Sequence, residues 1–165
     1  IFLHGAASFT EEDMSMFAEK YPELMKDYDV FMQEIADESL SAEEQTARLR
    51  VFWLDRYFPE MFADPEAGKT TIEKMYADAE LSWAHAEFAN TEAPIFDARD
   101  KLPAITARSL VIAGAHDMMP LDKGREIHDG LSDSEFVVFD DSGHFAPVEE
   151  LEKFKEVVYK FLGVQ

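Results

Sequence analysis

Two short apolar runs, each ending in a polar loop, constrain this chain more than any other feature. Ser109-Leu110-Val111-Ile112-Ala113 stops at Gly114, and Phe136-Val137-Val138-Phe139 stops at Asp140. Neither run is long enough for a helix. A segment that is apolar at successive positions has no solvent face, so each reads as a strand covered on both sides, as in a parallel sheet. Leu121 to Leu131, between them, reads as a short helix. Pro147 to Leu162 reads as an amphipathic helix, with Val148, Leu151, Phe154, Val157, Val158 and Phe161 on one stripe. Strand, helix, strand, helix implies right-handed crossovers on a parallel sheet. Ile1 to His4 is a third strand-like segment, breaking into a turn at Gly5 and the small residues Ala6-Ala7-Ser8.

From Thr10 to Asn90 the pattern is helical. Thr10 before Glu11-Glu12-Asp13 is an N-cap followed by acids at the positive end of the helix dipole. Met14, Phe17, Tyr21, Leu24 and Met25 follow at helical spacing, and Pro22 is expected to break or kink this helix. A second stretch is expected near Phe31 to Asp37. Ser41-x-x-Glu44 is a capping box opening a third, with Leu49, Phe52, Trp53 and Tyr57 on its apolar face. Pro59 and Ala63-Asp64-Pro65 read as loop punctuation, and Thr70-Thr71 as the start of a fourth helix through Ile72, Met75, Ala79, Trp83 and Ala86.

Ligands of open α/β sheets bind outside the carboxyl ends of the strands. Two polar groups sit at such ends: Asp117, after Gly114-Ala115-His116, and His144, after Asp140-Asp141-Ser142-Gly143. Adjacent parallel strands would bring both loops to one edge. There Asp117 can accept the Nδ1–H bond of His144 and leave Nε2 free to take a proton from a nucleophile. Alone, an Asp after a Gly turn or a His beside a Gly is an ordinary loop residue. As a pair, at equivalent places on successive strands and in acid-then-base order, they are the candidate catalytic residues. His116, His128 and His85 show no ligand spacing, so no metal is expected, and nothing in the chain implies a cofactor.

The stretch from Phe96-Asp97-Ala98-Arg99-Asp100-Lys101-Leu102-Pro103 into Gly-Ala-His-Asp, then Phe139-Asp140-Asp141-Ser142-Gly143-His144-Phe145-Ala146-Pro147-Val148-Glu149-Glu150 and the last helix, resembles the C-terminal end of α/β-hydrolases of the proline iminopeptidase type. The resemblance covers residues 96 to 162 and implies the last two core strands, the triad Asp at Asp117 and the triad His at His144. The helical region resembles the family's cap in position and in Trp83-Ala84-His85 to Thr91, and Ile1 to Ser8 resembles the strand that enters the cap. Arg108 stands where the family usually has Pro, and Leu151 replaces a common Pro after Glu-Glu. No Gly-x-Ser-x-Gly occurs anywhere. The first strands, the usual oxyanion loop and the nucleophile elbow are therefore expected to be missing, and the chain opens on Ile1 as though something upstream were absent. Ser8 reads as a loop Ser at the cap entrance, and Ser142 is too close in sequence to reach His144 Nε2 easily. His4-Gly5 also resembles the His-Gly of the family's oxyanion loop, but a helical region follows it directly.

The expected fold is thus α/β: a partial α/β-hydrolase with a small parallel sheet from residues 1–5, 109–113 and 135–139 and a helical cap insertion. Residues 1–10 and 95–165 would form the core and 11–94 the cap. An unpaired edge on the first strand would favour a homodimer or docking on another chain. A small apolar substrate or ligand is expected between cap and core. With 35 acidic against 15 basic residues the formal charge is −20, which disfavours nucleic acid and anionic membranes. The chain has no cysteine, which excludes disulfides and a thiolate nucleophile and fits a cytoplasmic protein. Three functional readings remain open: a hydrolase of ester or amide bonds, aminopeptidase-like, whose nucleophile comes from elsewhere, by assembly or from an unrecognised Ser; a non-catalytic remnant serving as a binding or interaction module; and a fragment of a longer enzyme.

Overall fold

The structure, a computed structural model, describes residues 1–37, 39–79, 81, 82, 84 and 95–164. It divides into two compact units. The first holds Ile1–Ser8, Met61–Ala63 and Asp97–Gln165; the second holds Phe9–Glu60 and Asp64–Phe96.

The first unit is built on a three-stranded sheet in the order β1 (Phe2–Leu3), β4 (Ser109–Gly114), β5 (Ser134–Phe139). Both pairings are parallel, with Phe2 opposite Val111 and Gly114 opposite Phe139. The central strand β4 is buried at every position. Its side chains alternate between two cores, the arrangement its unbroken apolar run requires. Leu110 and Ile112 pack with Phe139, Ala146 and the apolar side of α7 (Leu151–Leu162), through Phe154, Val157, Val158 and Phe161. Val111 packs on the other face with Ala7, Leu102, and Ile127 and Leu131 at α5 (Leu121–Gly130). Two strands not anticipated from sequence, β2 (Ser8–Phe9) and β3 (Phe96–Asp97), form a separate two-stranded sheet.

The C-terminal helix expected from Pro147 to Leu162 is two helices, α6 (Ala146–Glu149) and α7. The break falls at Glu150, whose backbone leaves the helical region at φ −125 and ψ 54. Glu149 and Glu150 both turn their carboxylates onto the loop that follows β5, as described below. α7 ends at Gly163, which takes the left-handed φ of 68 that a glycine C-cap favours.

The second unit is helical among its described residues. α1 (Glu11–Lys20) opens on Thr10, whose side chain and Asp13 cap one another's backbone amides. Tyr21 ends α1, and α2 (Pro22–Ile35) begins at once with Pro22 in its first turn. The proline therefore starts a helix rather than kinking one: its missing N–H costs nothing at that position. The second helix is accordingly longer than the stretch expected near Phe31. α3 (Ala42–Phe52) carries the expected Ser41–Glu44 capping box and runs on into a π turn at Trp53–Tyr57. α4 (Pro65–Met75) starts earlier than Thr70, because Asp64 accepts from the amides of Glu66 and Ala67 and Pro65 supplies the first turn. What reads as loop punctuation is a helix cap. α4 ends at Met75, with Tyr76 as its C-cap, short of the expected Ala79; the expected continuation through Trp83 and Ala86 lies outside the described residues. Leu24, Phe31, Ile35, Leu49, Phe52, Leu54 and Ile72 are buried in this unit, and the Phe31 and Phe52 rings stack at 4.8 Å.

Candidate active site

The loops after β4 and β5 are stitched together by backbone. Ala115 donates to the Phe139 carbonyl at 2.9 Å and His116 to the Ser142 carbonyl at 3.0 Å. Two glycines make this approach possible. A Cβ on Gly114 would overlap the carbonyl oxygens of Ser142 and Gly143, and one on Gly143 would overlap the Met61 carbonyl. His144 in turn donates its amide to the Met61 carbonyl at 2.6 Å, which accounts for residues 61–63 belonging to the first unit.

Two acids hold the β5 loop from below. Glu149 accepts from the amides of Gly143 at 2.9 Å, Phe145 at 3.2 Å and Ala63 at 2.8 Å. Glu150 accepts from the Ser142 hydroxyl at 2.7 Å and the Asp141 amide at 3.2 Å. Hydrogen bonds to the charged form, chiefly from Ser142, hold the Glu150 carboxyl below its ordinary value against the opposing effect of burial.

The two residues singled out from sequence meet at this edge. Asp117 Oδ2 lies 3.0 Å and Oδ1 3.1 Å from His144 Nδ1. Oδ1 also accepts from the Met119 amide at 2.9 Å, and Oδ2 lies 3.0 Å from a second imidazole, Nδ1 of His4. The Asp117 side chain is 2% exposed and that of His144 29%. Burial raises the Asp117 carboxyl, but the bonds from His144, His4 and Met119 and the charge of His144 outweigh it, so it sits below the ordinary carboxylate value. An ionised carboxylate can only accept, so both Nδ1 atoms carry protons. In the neutral ring that leaves the His144 Nε2 lone pair available as a base.

The remaining candidates are elsewhere or engaged. Ser8, buried, donates to Glu126 at 2.8 Å and accepts from Lys123 at 3.2 Å. Ser142 is buried and bound to Glu150. Among the described residues no hydroxyl bonds His144 Nε2. His116 is exposed, His128 Nδ1 lies 2.6 Å from the Ser134 hydroxyl, and His85 is outside the described residues. Sequence spacing could not reveal that His4, Asp117 and His144 cluster with ligand atoms within 4.8 Å of one another, because His4 and Asp117 are 113 positions apart. Imidazole and carboxylate donors suit zinc. The separations of 3.0 to 3.1 Å are those of N–H···O bonds, however, and an ion held here would have to replace the Nδ1 protons.

No family model matches the chain. Among curated proteins it is 31% identical over 67 residues to a proline iminopeptidase of Saccharolobus solfataricus, covering 41% of this chain and 22% of that protein. It is 30% identical over 109 residues to the AB hydrolase superfamily protein YisY of Bacillus subtilis, covering 66% and 40%. Among solved structures it superposes on an enol-lactonase from Burkholderia xenovorans with a TM-score of 0.64 at 21% identity, over 98% of this chain and 54% of that one. An esterase from Exiguobacterium antarcticum gives a TM-score of 0.59 at 23% identity, over 84% and 48%. The chain thus spans about half the length of these solved relatives, and less of the curated ones. It has part of the α/β-hydrolase fold and is similar in sequence to α/β-hydrolases, proline iminopeptidase included. Among the described residues no helix is long and apolar enough to cross a membrane.

Proposed function

We propose that this chain carries the acid and base of a hydrolase acting on ester or amide bonds, with Asp117 orienting His144 and His144 Nε2 taking the proton of a nucleophile. The observation that carries the reading is the bond between buried Asp117 and the Nδ1 of a partly open His144. Hydrolase relatives support the same class. In this reading the nucleophilic hydroxyl is neither Ser8 nor Ser142, both buried and committed to carboxylates.

Fluorophosphonate labelling of the purified protein, with mass spectrometry to locate the adduct, tests this. An adduct on one serine that disappears in His144→Ala supports the reading. No adduct in folded protein overturns it for this chain and favours a second reading, a binding or interaction module. One observation favours that alternative: β1 is an edge strand, with Ile1 54% and Leu3 44% exposed. Docking of a second copy along this edge is its expected form, and a clean monomer in sedimentation at micromolar concentration would count against it.

A further inference from the structure

His4 stands at the end of β1, where its amide extends the parallel pairing by donating to the Ile112 carbonyl at 2.9 Å. Three observations set it apart. It is a non-glycine residue with φ of +49, in the left-handed region that costs most side chains energy. Its side chain is 3% exposed, and Nδ1 lies 3.0 Å from Asp117 Oδ2. Its Nε2 is buried with no hydrogen-bond partner among the described residues. A residue kept only to fill this space would be apolar, since a leucine or phenylalanine leaves no acceptor stranded. The unusual backbone and the unpaired nitrogen are both tolerated where the ring meets Asp117, and strain held at one place asks for a local use.

We infer that His4 is a positioning residue for the Asp117–His144 pair: its Nδ1–H occupies one face of Oδ2, so the carboxylate is held from two sides and His144 receives only part of it. The inference rests on reading Asp117 and His144 as an acid–base pair, but not on turnover in this chain. The Asp117 carboxylate then carries three donors: Met119 N–H fixes Oδ1, His4 fixes Oδ2, and His144 bridges both oxygens. The rings of His4 and His144 are 5.0 Å apart, so the two imidazoles share one negative charge at close range.

Sharing has a consequence with a fixed sign. If His4 is neutral, removing its N–H leaves Oδ2 wholly to His144 and strengthens the bond to the imidazolium. If His4 carries a second proton, removing it also deletes a like charge. Either way the His144 imidazole becomes harder to deprotonate. Charged groups on neighbouring elements include Glu149, bound to the Gly143 and Phe145 amides, Glu150, bound to Ser142 and the Asp141 amide, and Lys123 and Glu126 of α5, bound to Ser8; these bonds are made to groups other than His4.

The test is an NMR titration of the His144 ring in the whole chain. His4→Phe keeps a planar ring and removes the donor; His4→Asn keeps a donor and tolerates positive φ. The His144 midpoint is expected to rise in His4→Phe and to return toward the parent value in His4→Asn, a rescue that mere space-filling would not produce. Coincident midpoints in all three proteins overturn the inference. Nitrogen-15 spectra of the unaltered chain give an independent reading should His4→Phe not fold. They should show His4 protonated at Nδ1, and an Nε2-only tautomer would overturn it. If fluorophosphonate labelling fails while the midpoint moves, the hydrolase reading falls and the positioning role stands.

Discussion

Replacing Glu149 by alanine removes one carboxylate that accepts three backbone N–H groups, from Ala63, Gly143 and Phe145. Gly143 is buried and the other two are half-buried. A buried amide deprived of a charged acceptor costs about 1.5–3 kcal/mol, whereas the half-buried amides regain water and cost about 0.5 kcal/mol each. The expected loss is therefore about 3 kcal/mol. It falls on the first unit, since all four residues belong to it. A single melting temperature does not say which of two compact units has lost stability, so it would blur the effect. Native-state hydrogen exchange resolved to peptides from β4 and β5 reports the first unit alone. A loss of about 3 kcal/mol there corresponds to exchange faster on the order of 100-fold. Glu152→Ala is the control: that side chain is 85% exposed and, among the described residues, pairs only with Lys155, so protection should be unchanged. Exchange accelerated less than about threefold in Glu149→Ala would refute the claim that this acid holds the His144 loop.

Other perturbations follow from the same structure. Because folding lowers the Asp117 carboxyl below its ordinary value of 3.8, its contribution to stability is fully present above that pH and is lost as pH falls through the lower folded value. The stability difference between the parent and Asp117→Asn, measured by denaturant titration, should shrink on acidification below about pH 3.8, and a constant difference would contradict the assignment. Gly114→Ala places a Cβ onto the Ser142 and Gly143 carbonyls, so the loops must separate. It should destabilise the first unit by more than about 2 kcal/mol in the same exchange assay and lower the adduct yield of any labelled serine. Ser41→Ala removes the acceptor of the Glu44 amide and should cost about 1 kcal/mol in the second unit by calorimetry, with the β4 and β5 amides unaffected.

What the sequence made legible here follows from how local each signal is. The run from Leu110 to Ala113 announces a strand covered on both faces because its hydrophobicity allows no other environment, and the two cores flanking β4 confirm it. Thr10 and Ser41 are readable as caps because their partners lie three residues on. Pro22 marks the expected break, since one helix ends at Lys20 and the next starts at Pro22, whereas Asp64-Pro65 reads as a loop because a proline in the first helical turn looks, in sequence, like a proline that ends one. The break at Glu150 is hidden in the sequence because Val148 and Leu151 continue the helical spacing of Phe154, Val157, Val158 and Phe161, whereas in the structure both are exposed and Glu149 and Glu150 turn back onto the preceding loop. At the site, Asp117 and His144 could be paired in advance because each follows a strand of the same parallel unit. His4 follows such a strand too, and the parallel pairing of β1 with β4 carries it to Asp117. Its role is not legible in the sequence because β1 is only two residues long and a helical segment follows the strand end closely. The rule that located the acid and the base, polar groups at the carboxyl ends of parallel strands, therefore applies to all three residues. Applied to every strand, however short, it selects His4 as well.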